Sequence, residues 1–387
     1  MKLDKRPKYQ FIVDDMKAKI KSGEISADEP IPSQIELAKH YQTSEITSRR
    51  ALTELANEGL IYRVKGKGSF VNKDFAEAVT QENSRIRTIY LVHQNVPLHL
   101  FSYGFFGDML RGLYEQCEAY RVAFRLWNIA EKGALPPNEE HNGLVLLPAF
   151  QDTEYITAEA IAGWKRENRK FVTTHYYFPH LQIPYVIVDN MTGGYLATQH
   201  LLSIGHRRIG IVLTGNSPVD INQEFSLRLQ GYKLALQQYQ IEFDPSLVVI
   251  MAGDSEDAES GAQGFDRLMD LAQPPTAVFM TSDIKAIGAM HAAERRGLDI
   301  PGDISFVGYD DLNIGNYLHP GLTTINQNTY LMGRKAAEFL WEWDNGSAGF
   351  RKEEIVPSLI VRDSTAEWLT DEPETAAKAK VAETLKA

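Results

Sequence analysis

From Thr88 to Ile325 the chain repeats one pattern, a short apolar run followed in many places by an amphipathic stretch of helical period. The runs are Thr88 to Val92, Val122 to Trp127, Leu144 to Leu147, Phe171 to Thr174, Val186 to Val188, Arg208 to Leu213, Leu247 to Ile250, Ala277 to Met280, Ile304 to Val307 and Thr323 to Ile325. Amphipathic stretches such as Gly107 to Tyr120, Met191 to Ile204, Phe225 to Tyr239 and Ile284 to Arg296 lie between them. Neighbouring parallel strands need a long crossover, normally a helix, so this alternation predicts doubly wound α/β layers with parallel sheets. Nearly 280 residues are too many for one comfortable core, so two lobes are expected. Ligands of such sheets bind beyond the carboxyl ends of the strands.

The residues ahead of this region differ in charge. Residues 1 to 73 hold 14 Lys and Arg against 10 Asp and Glu, net +4, while the other residues hold 26 against 41, net -15. A basic module leading an acidic body is a recognised footprint of nucleic-acid binding. The longest apolar runs, Gly143 to Pro148 and Ile209 to Leu213, fall far short of the ~20 residues that cross a bilayer. The first 25 residues lack the apolar core of a signal peptide, and a lone Cys117 excludes an intrachain disulfide. A cytoplasmic location without a membrane partner is expected.

Within the basic module, Tyr9, Ile12, Val13, Met16 and Ile20 recur at helical spacing before Gly23. Ser33 and Glu36 form a capping-box pattern that starts a second helix, about Gln34 to Tyr41. A third runs from Ser44 to Glu58, with Ser48, Ala51, Leu52 and Leu55 on one side and Ile46, Arg49, Arg50, Thr53 and Asn57 on the other. After Gly59, two short strands, Leu60 to Val64 and Ser69 to Val71, flank Lys65-Gly66-Lys67-Gly68. The pattern is a helix, a helix-turn-helix and a basic hairpin. Such a motif lays its second helix in the major groove, and a glycine-rich basic hairpin suits a groove lined by phosphate. A three-helix interaction module with solvated arginines is the alternative.

In the body, the strand-end rule selects His93 to Asn95, His175 to Tyr177, Asp283 and Asp310-Asp311. Tyr103, Phe105 and Phe106 could cover the apolar face of a ligand ring. The plainer readings are core aromatics, a capped loop histidine and an Asx turn at Asp310-Asp311. No Walker A, G-x-S-x-G, H-E-x-x-H or strand-borne G-x-G-x-x-G motif occurs. The histidines show no metal-ligand spacing, so no catalytic step, cofactor or metal is expected.

Pro32-Ser33-x-x-Glu36-Leu37-Ala38, Thr47-x-Arg49-x-Ala51-Leu52, Glu58-Gly59-Leu60 and Gly66-x-Gly68-Ser69-Phe70-Val71 resemble the winged helix-turn-helix of GntR-family bacterial repressors. Ile35 and Glu45 stand where that family usually carries arginines, and Ser48 where it carries an apolar core residue. The resemblance implies DNA contacts from Arg49, Arg50, Lys65, Gly66 and Lys67, with Ser44 and Thr47 beside them. Val188-Asp189-Asn190-x-x-Gly193-Gly194, His200-Leu201-Leu202-x-x-Gly205-His206-Arg207-Arg208-Ile209-Gly210, Arg228-x-x-Gly231-Tyr232, Ser282-Asp283, Ile300-Pro301-x-Asp303-Ile304-Ser305-x-Val307-Gly308-Tyr309-Asp310-Asp311 and Leu322-Thr323-Thr324-Ile325-x-Gln327 are similar to the effector domain of LacI-family repressors. That resemblance implies a periplasmic-binding-protein-like fold with three crossovers between its lobes. It also implies that Arg228 and Asp283 bind a sugar, joined by Gln327; an ion pair between Arg228 and Asp283 is the structural alternative. Asp189 and Asn190 are expected to secure a crossover.

The expected chain is therefore α/β, with a winged helix-turn-helix over residues 1–75, a linker over 76–86, an effector-binding and dimerisation domain over 87–365 and a polar tail over 366–387. Its expected function is that of a homodimeric, sugar-controlled repressor on an inverted-repeat operator DNA, with effector contacts from Arg228, Asp283, Gln327, His175, Tyr103 and Phe105. The alternative is the solute-binding protein of a sugar transporter.

Overall fold

Local signals in the first residues become three helices and a hairpin in the computed structural model, which describes residues 7–21, 24–25, 30–64, 67–72, 86–97, 104–148, 154–217, 219–252, 257–343 and 351–368. Lys65, Gly66 and Tyr103, the linker except Ile86, and the tail beyond residue 368 lie outside the described residues. The chain separates into two units, one centred on residues 1–86 and the other holding almost all of the chain from Arg87 onward.

In the first unit, α1 is Lys8–Lys21, α2 Gln34–His40, α3 Glu45–Asn57, β1 Ile61–Val64 and β2 Gly68–Val71. The capping box forms: Ser33 N donates to Glu36 Oε2 at 2.7 Å, and Glu36 N to Ser33 Oγ at 3.3 Å. Ser44 caps α3 through its hydroxyl, which accepts from Thr47 N. Strands β1 and β2 pair antiparallel from Ile61↔Val71 to Val64↔Gly68. Ile12, Val13, Met16, Leu37, Ala51, Leu52, Leu55, Ile61 and Val71 share one core.

Ser48 projects into the same interior, fully buried, and among the described residues its Oγ has no hydrogen-bond partner. A hydroxyl withdrawn from water without a partner costs about 1–3 kcal/mol. Ser48→Ala should therefore stabilise the first unit by about 1 kcal/mol, since alanine is also the better helix former. Urea unfolding monitored on that unit checks this, with an unchanged or lower midpoint as the contrary result.

The second unit begins with β3 Thr88–His93, α4 Gly104–Tyr120, β4 Ala123–Asn128, α5 Ile129–Lys132, β5 Asn142–Leu147, α6 Ala158–Arg166, β6 Lys170–Thr174 and β7 Tyr185–Val188. It continues through α7 Asn190–Ser203, β8 Ile209–Ser217, β9 Asp220–Ile221, α8 Gln223–Gln238, β10 Val248–Met251, α9 Ala258–Met269, β11 Ala277–Met280, α10 Asp283–Arg295, β12 Ser305–Val307 and β13 Thr324–Asn326. It closes with α11 Thr329–Trp341, β14 Lys352–Ile355 and β15 Ser358–Ile360. One lobe carries the parallel sheet β14-β7-β6-β5-β3-β4, and the other the parallel run β10-β8-β11-β12. The chain passes between lobes after β7, between β13 and α11, and between β14 and β15. These are the three crossovers that the resemblance implied.

All ten expected strands are present, with ends shifted by one to four residues where they differ at all. The sheets are not purely parallel, because β9 pairs antiparallel with β8, and β15 with β13. Strand β14, Lys-Glu-Glu-Ile, carries no apolar alternation. It forms because it sits at a sheet edge, where one side has no strand to meet and charged side chains are tolerated.

Each helix pair on the sheets closes through reciprocal glycines. A Cβ at Gly194 would stand 2.1 Å from Arg228 O, and one at Gly231 2.0 Å from Met191 O, so α7 and α8 touch backbone to backbone. Gly261 and Gly288 do the same for α9 and α10, as do Gly112 and Gly333 for α4 and α11. A methyl in such a contact must push two helices apart, an overpacking that costs about 1–3 kcal/mol. Gly231→Ala should lower the thermal midpoint of the second unit accordingly; calorimetry showing no decrease would contradict the close contact.

Candidate functional site

The first candidate surface is the outer side of α3. Ile46, Arg49, Arg50, Thr53 and Asn57 are all exposed there, opposite the buried stripe of Ser48, Ala51, Leu52 and Leu55. The cations are held in place: Arg49 Nε donates to Gln34 Oε1 at 2.9 Å, and the Arg50 guanidinium lies 3.9 Å from the Tyr9 ring centre. Ser44 and Thr47 face each other with their hydroxyl oxygens 2.8 Å apart at the helix start. Lys67, at the hairpin, is exposed. Arg63 on β1 donates to Thr53 Oγ1 at 3.0 Å and ties the hairpin to α3.

The second candidate site lies where the strands of the second unit end. Arg228, on α8, is almost fully buried. Its Nε donates to Asn190 Oδ1 at 2.8 Å and its Nη1 to Thr281 O at 2.5 Å, while the guanidinium stacks 3.7 Å from the centre of the Tyr309 ring. Tyr309 Oη reaches the same Asn190 oxygen at 3.3 Å. Asp283 follows β11 and is fully buried. Its Oδ1 accepts from Thr324 Oγ1 at 2.6 Å and its Oδ2 from Leu312 N at 2.7 Å. Burial, reinforced by nearby Asp310, pushes the Asp283 carboxyl well above the usual carboxylate range despite those two donors. Gln327 Nε2 donates to Asp310 Oδ1 at 2.5 Å.

The other lobe supplies His175, whose φ of +73° is uncommon for a residue with a Cβ. Its Nε2 stands 3.0 Å from Glu224 Oε2, an ion-pair distance, though without the alignment of a hydrogen bond. Burial raises the pKa of Glu224, but His175, Arg228 and Lys285 together outweigh it and hold the carboxyl below its ordinary range. Phe105 meets the His175 ring edge-on at 4.8 Å. Tyr176 Oη donates to Asn222 Oδ1 at 2.5 Å, and Tyr177 exchanges two 3.1 Å bonds with the Gln223 side chain. Three consecutive residues after β6 thus meet three at the start of α8, which brings the lobes together beside Arg228.

Phe105 and Glu224 both meet His175, and Glu224 lies one turn from Arg228 on α8, while Asp283 is tied to Tyr309 O and Gln327 to Asp310. Donors from Arg228, the acceptor Glu224 and the face of Phe105 suit a hydroxyl-rich ligand with an apolar ring face. Asp189 caps α7 through Thr192 N at 2.9 Å, and Asn190 aims Arg228. Sequence reading passed over Glu224 and Lys285. Glu224 stands four residues before Arg228, one helical turn away on the same face, and that spacing was a usable signal. Lys285 is fully buried, with Nζ 3.3 Å from Thr281 Oγ1 and 4.5 Å from the Phe225 ring centre, and its sequence neighbours do not announce this. Among the described residues, no group of three or more His, Cys, Asp or Glu could hold a metal ion, and no helix is long and apolar enough to cross a membrane.

Residues 8–71 match the family described as bacterial regulatory proteins, gntR family, and residues 198–365 match the periplasmic binding protein-like domain. The chain joins a GntR-family domain to a periplasmic-binding-protein-like domain. This hybrid is 28% identical over 379 residues to the arabinose metabolism transcriptional repressor of Geobacillus stearothermophilus, a match covering 95% of the chain and 100% of that protein. It is 38% identical over 194 residues to the ribose operon repressor of Haemophilus influenzae, which covers 50% of the chain and 56% of that repressor. The hybrid thus spans little more than half the length of that relative, and 55% of the CytR repressor of Escherichia coli. Among solved structures it resembles a transcriptional regulator CelR–cellobiose complex, with a TM-score of 0.62 and 27% identity over 86% of this chain and 100% of that one. It also resembles a ribose-bound LacI-family regulator from Enterococcus faecium, with a TM-score of 0.59 and 26% identity over 73% and 100%.

Proposed function

We propose that the chain is a sequence-specific DNA-binding transcriptional repressor controlled by a small sugar or sugar derivative held between the lobes of its second unit. The observation that carries the reading is the exposed side of α3, where Arg49 and Arg50 are braced by Gln34 and Tyr9 beside a hairpin bearing Lys67. An arginine fixed in this way loses less side-chain entropy on reaching a base edge or phosphate. The effector residues of this reading are Arg228, Asp283, Gln327, His175, Phe105 and Tyr103, and catalysis has no part in it. The likeness to an arabinose metabolism transcriptional repressor and a ribose operon repressor supports the sugar class. A transporter's solute-binding protein would have no use for a gntR-type domain, so that alternative loses ground.

The effector alters DNA affinity only by its differential affinity for two lobe arrangements, about 1–3 kcal/mol of coupling in typical cases. A mobility-shift titration on promoter DNA, with and without pentoses, hexoses and uronic acids, tests this. Some sugar should weaken the complex, and operator DNA should weaken that sugar's binding by the same factor. Retention of the complex at every saturating sugar would contradict the proposed control. We further propose a cytoplasmic homodimer on an inverted repeat, since two half-sites call for a twofold partner. Sedimentation should then find a dimer at micromolar concentration, and a monomer both alone and on DNA would contradict it.

A further inference from the structure

Ile46 is the most exposed large apolar side chain among the described residues of the first unit, at 81%. It lies in the first turn of α3, two residues after the cap Ser44, on the side that carries Arg49 and Arg50. Nothing local calls for isoleucine there. A β-branched residue is a weaker helix former than alanine, and leaving its aliphatic surface in water forgoes the gain of burial. The surrounding charge narrows what can cover it. Two arginines and Lys67 favour a polyanion over an apolar protein face.

We propose that Ile46 reads thymine, seating its branched side chain against the C5-methyl group in the major groove. That methyl is the apolar feature a base pair presents there, where guanine, cytosine and adenine edges offer hydrogen-bond donors and acceptors. Residues at the start of a recognition helix are the ones that reach base edges. The helical backbone restricts isoleucine to one strongly preferred χ1 rotamer, so the contact surface is preformed. Glu45 beside it repels phosphate and leaves this turn dependent on base contacts.

The inference rests on the DNA-binding reading, and one experiment separates the two. The full chain selects its duplex from random DNA, and each thymine of that duplex is then replaced singly by deoxyuridine, which lacks only the methyl. Wild type should lose about fourfold in affinity at one or more positions, the value expected for one methyl removed from contact. Ile46→Ala, an exposed change that spares the core, should bind the thymine and uracil duplexes equally, and Ile46→Val should keep the discrimination. Equal wild-type binding at every position, or discrimination persisting in Ile46→Ala, would overturn the assignment to Ile46 alone. Failure of wild type to bind any selected duplex would overturn the DNA-binding reading and this one with it.

Discussion

Arg228→Met is expected to abolish the response to sugar while the protein still binds operator DNA. Methionine keeps an unbranched apolar stem against Tyr309 but removes the guanidinium that bonds Asn190 Oδ1 and Thr281 O. Hydrogen bonds involving a charged group contribute about 1.5–3 kcal/mol each. Losing one such bond to the proposed ligand would weaken sugar binding by roughly 10- to 150-fold. Glu224, buried and held below its ordinary range by His175, Arg228 and Lys285, loses one of these three partners in the variant. The second unit should also melt at lower temperature, which makes the control informative. Isothermal titration with an active sugar, alongside a mobility shift without sugar, reads both effects. Wild-type sugar affinity in a folded Arg228→Met protein would remove Arg228 from the effector site.

Arg49→Ala should weaken operator binding by roughly 1–3 kcal/mol, a factor of about 5 to 150. The side chain is exposed, and the contact it loses within the protein is the 2.9 Å bond to Gln34, so stability should change little. The salt dependence distinguishes its partners. A phosphate contact lowers affinity on all sequences and reduces the slope of log K against log salt by about 1, whereas a base contact relaxes specificity at one position. Binding that matches wild type at every salt concentration and sequence would exclude both roles.

Sequence alone was sufficient wherever the cause is local. The Ser33–Glu36 box and the Ser44 cap involve residues three apart, and the buried stripe of α3 follows from helical period. Fully buried parallel strands such as β5, β7 and β11 read as continuous apolar runs, which is why they were legible between Thr88 and Ile325. Periodicity names a buried face but not the partner of that face, and there the tertiary structure decided. Strand β15 pairs antiparallel with β13 across more than thirty residues, and β14 joins an edge without any apolar alternation. Arg228 and Asp283 were legible as motifs, yet their bonds run to Asn190, Thr281, Leu312 and Thr324 rather than to each other's sequence neighbourhood alone. His175 meets Glu224 across 49 positions because two lobes close there. Burying a charge is costly unless an opposite charge or donor lies within a few ångströms, and only the folded chain determines which distant residue arrives at that distance.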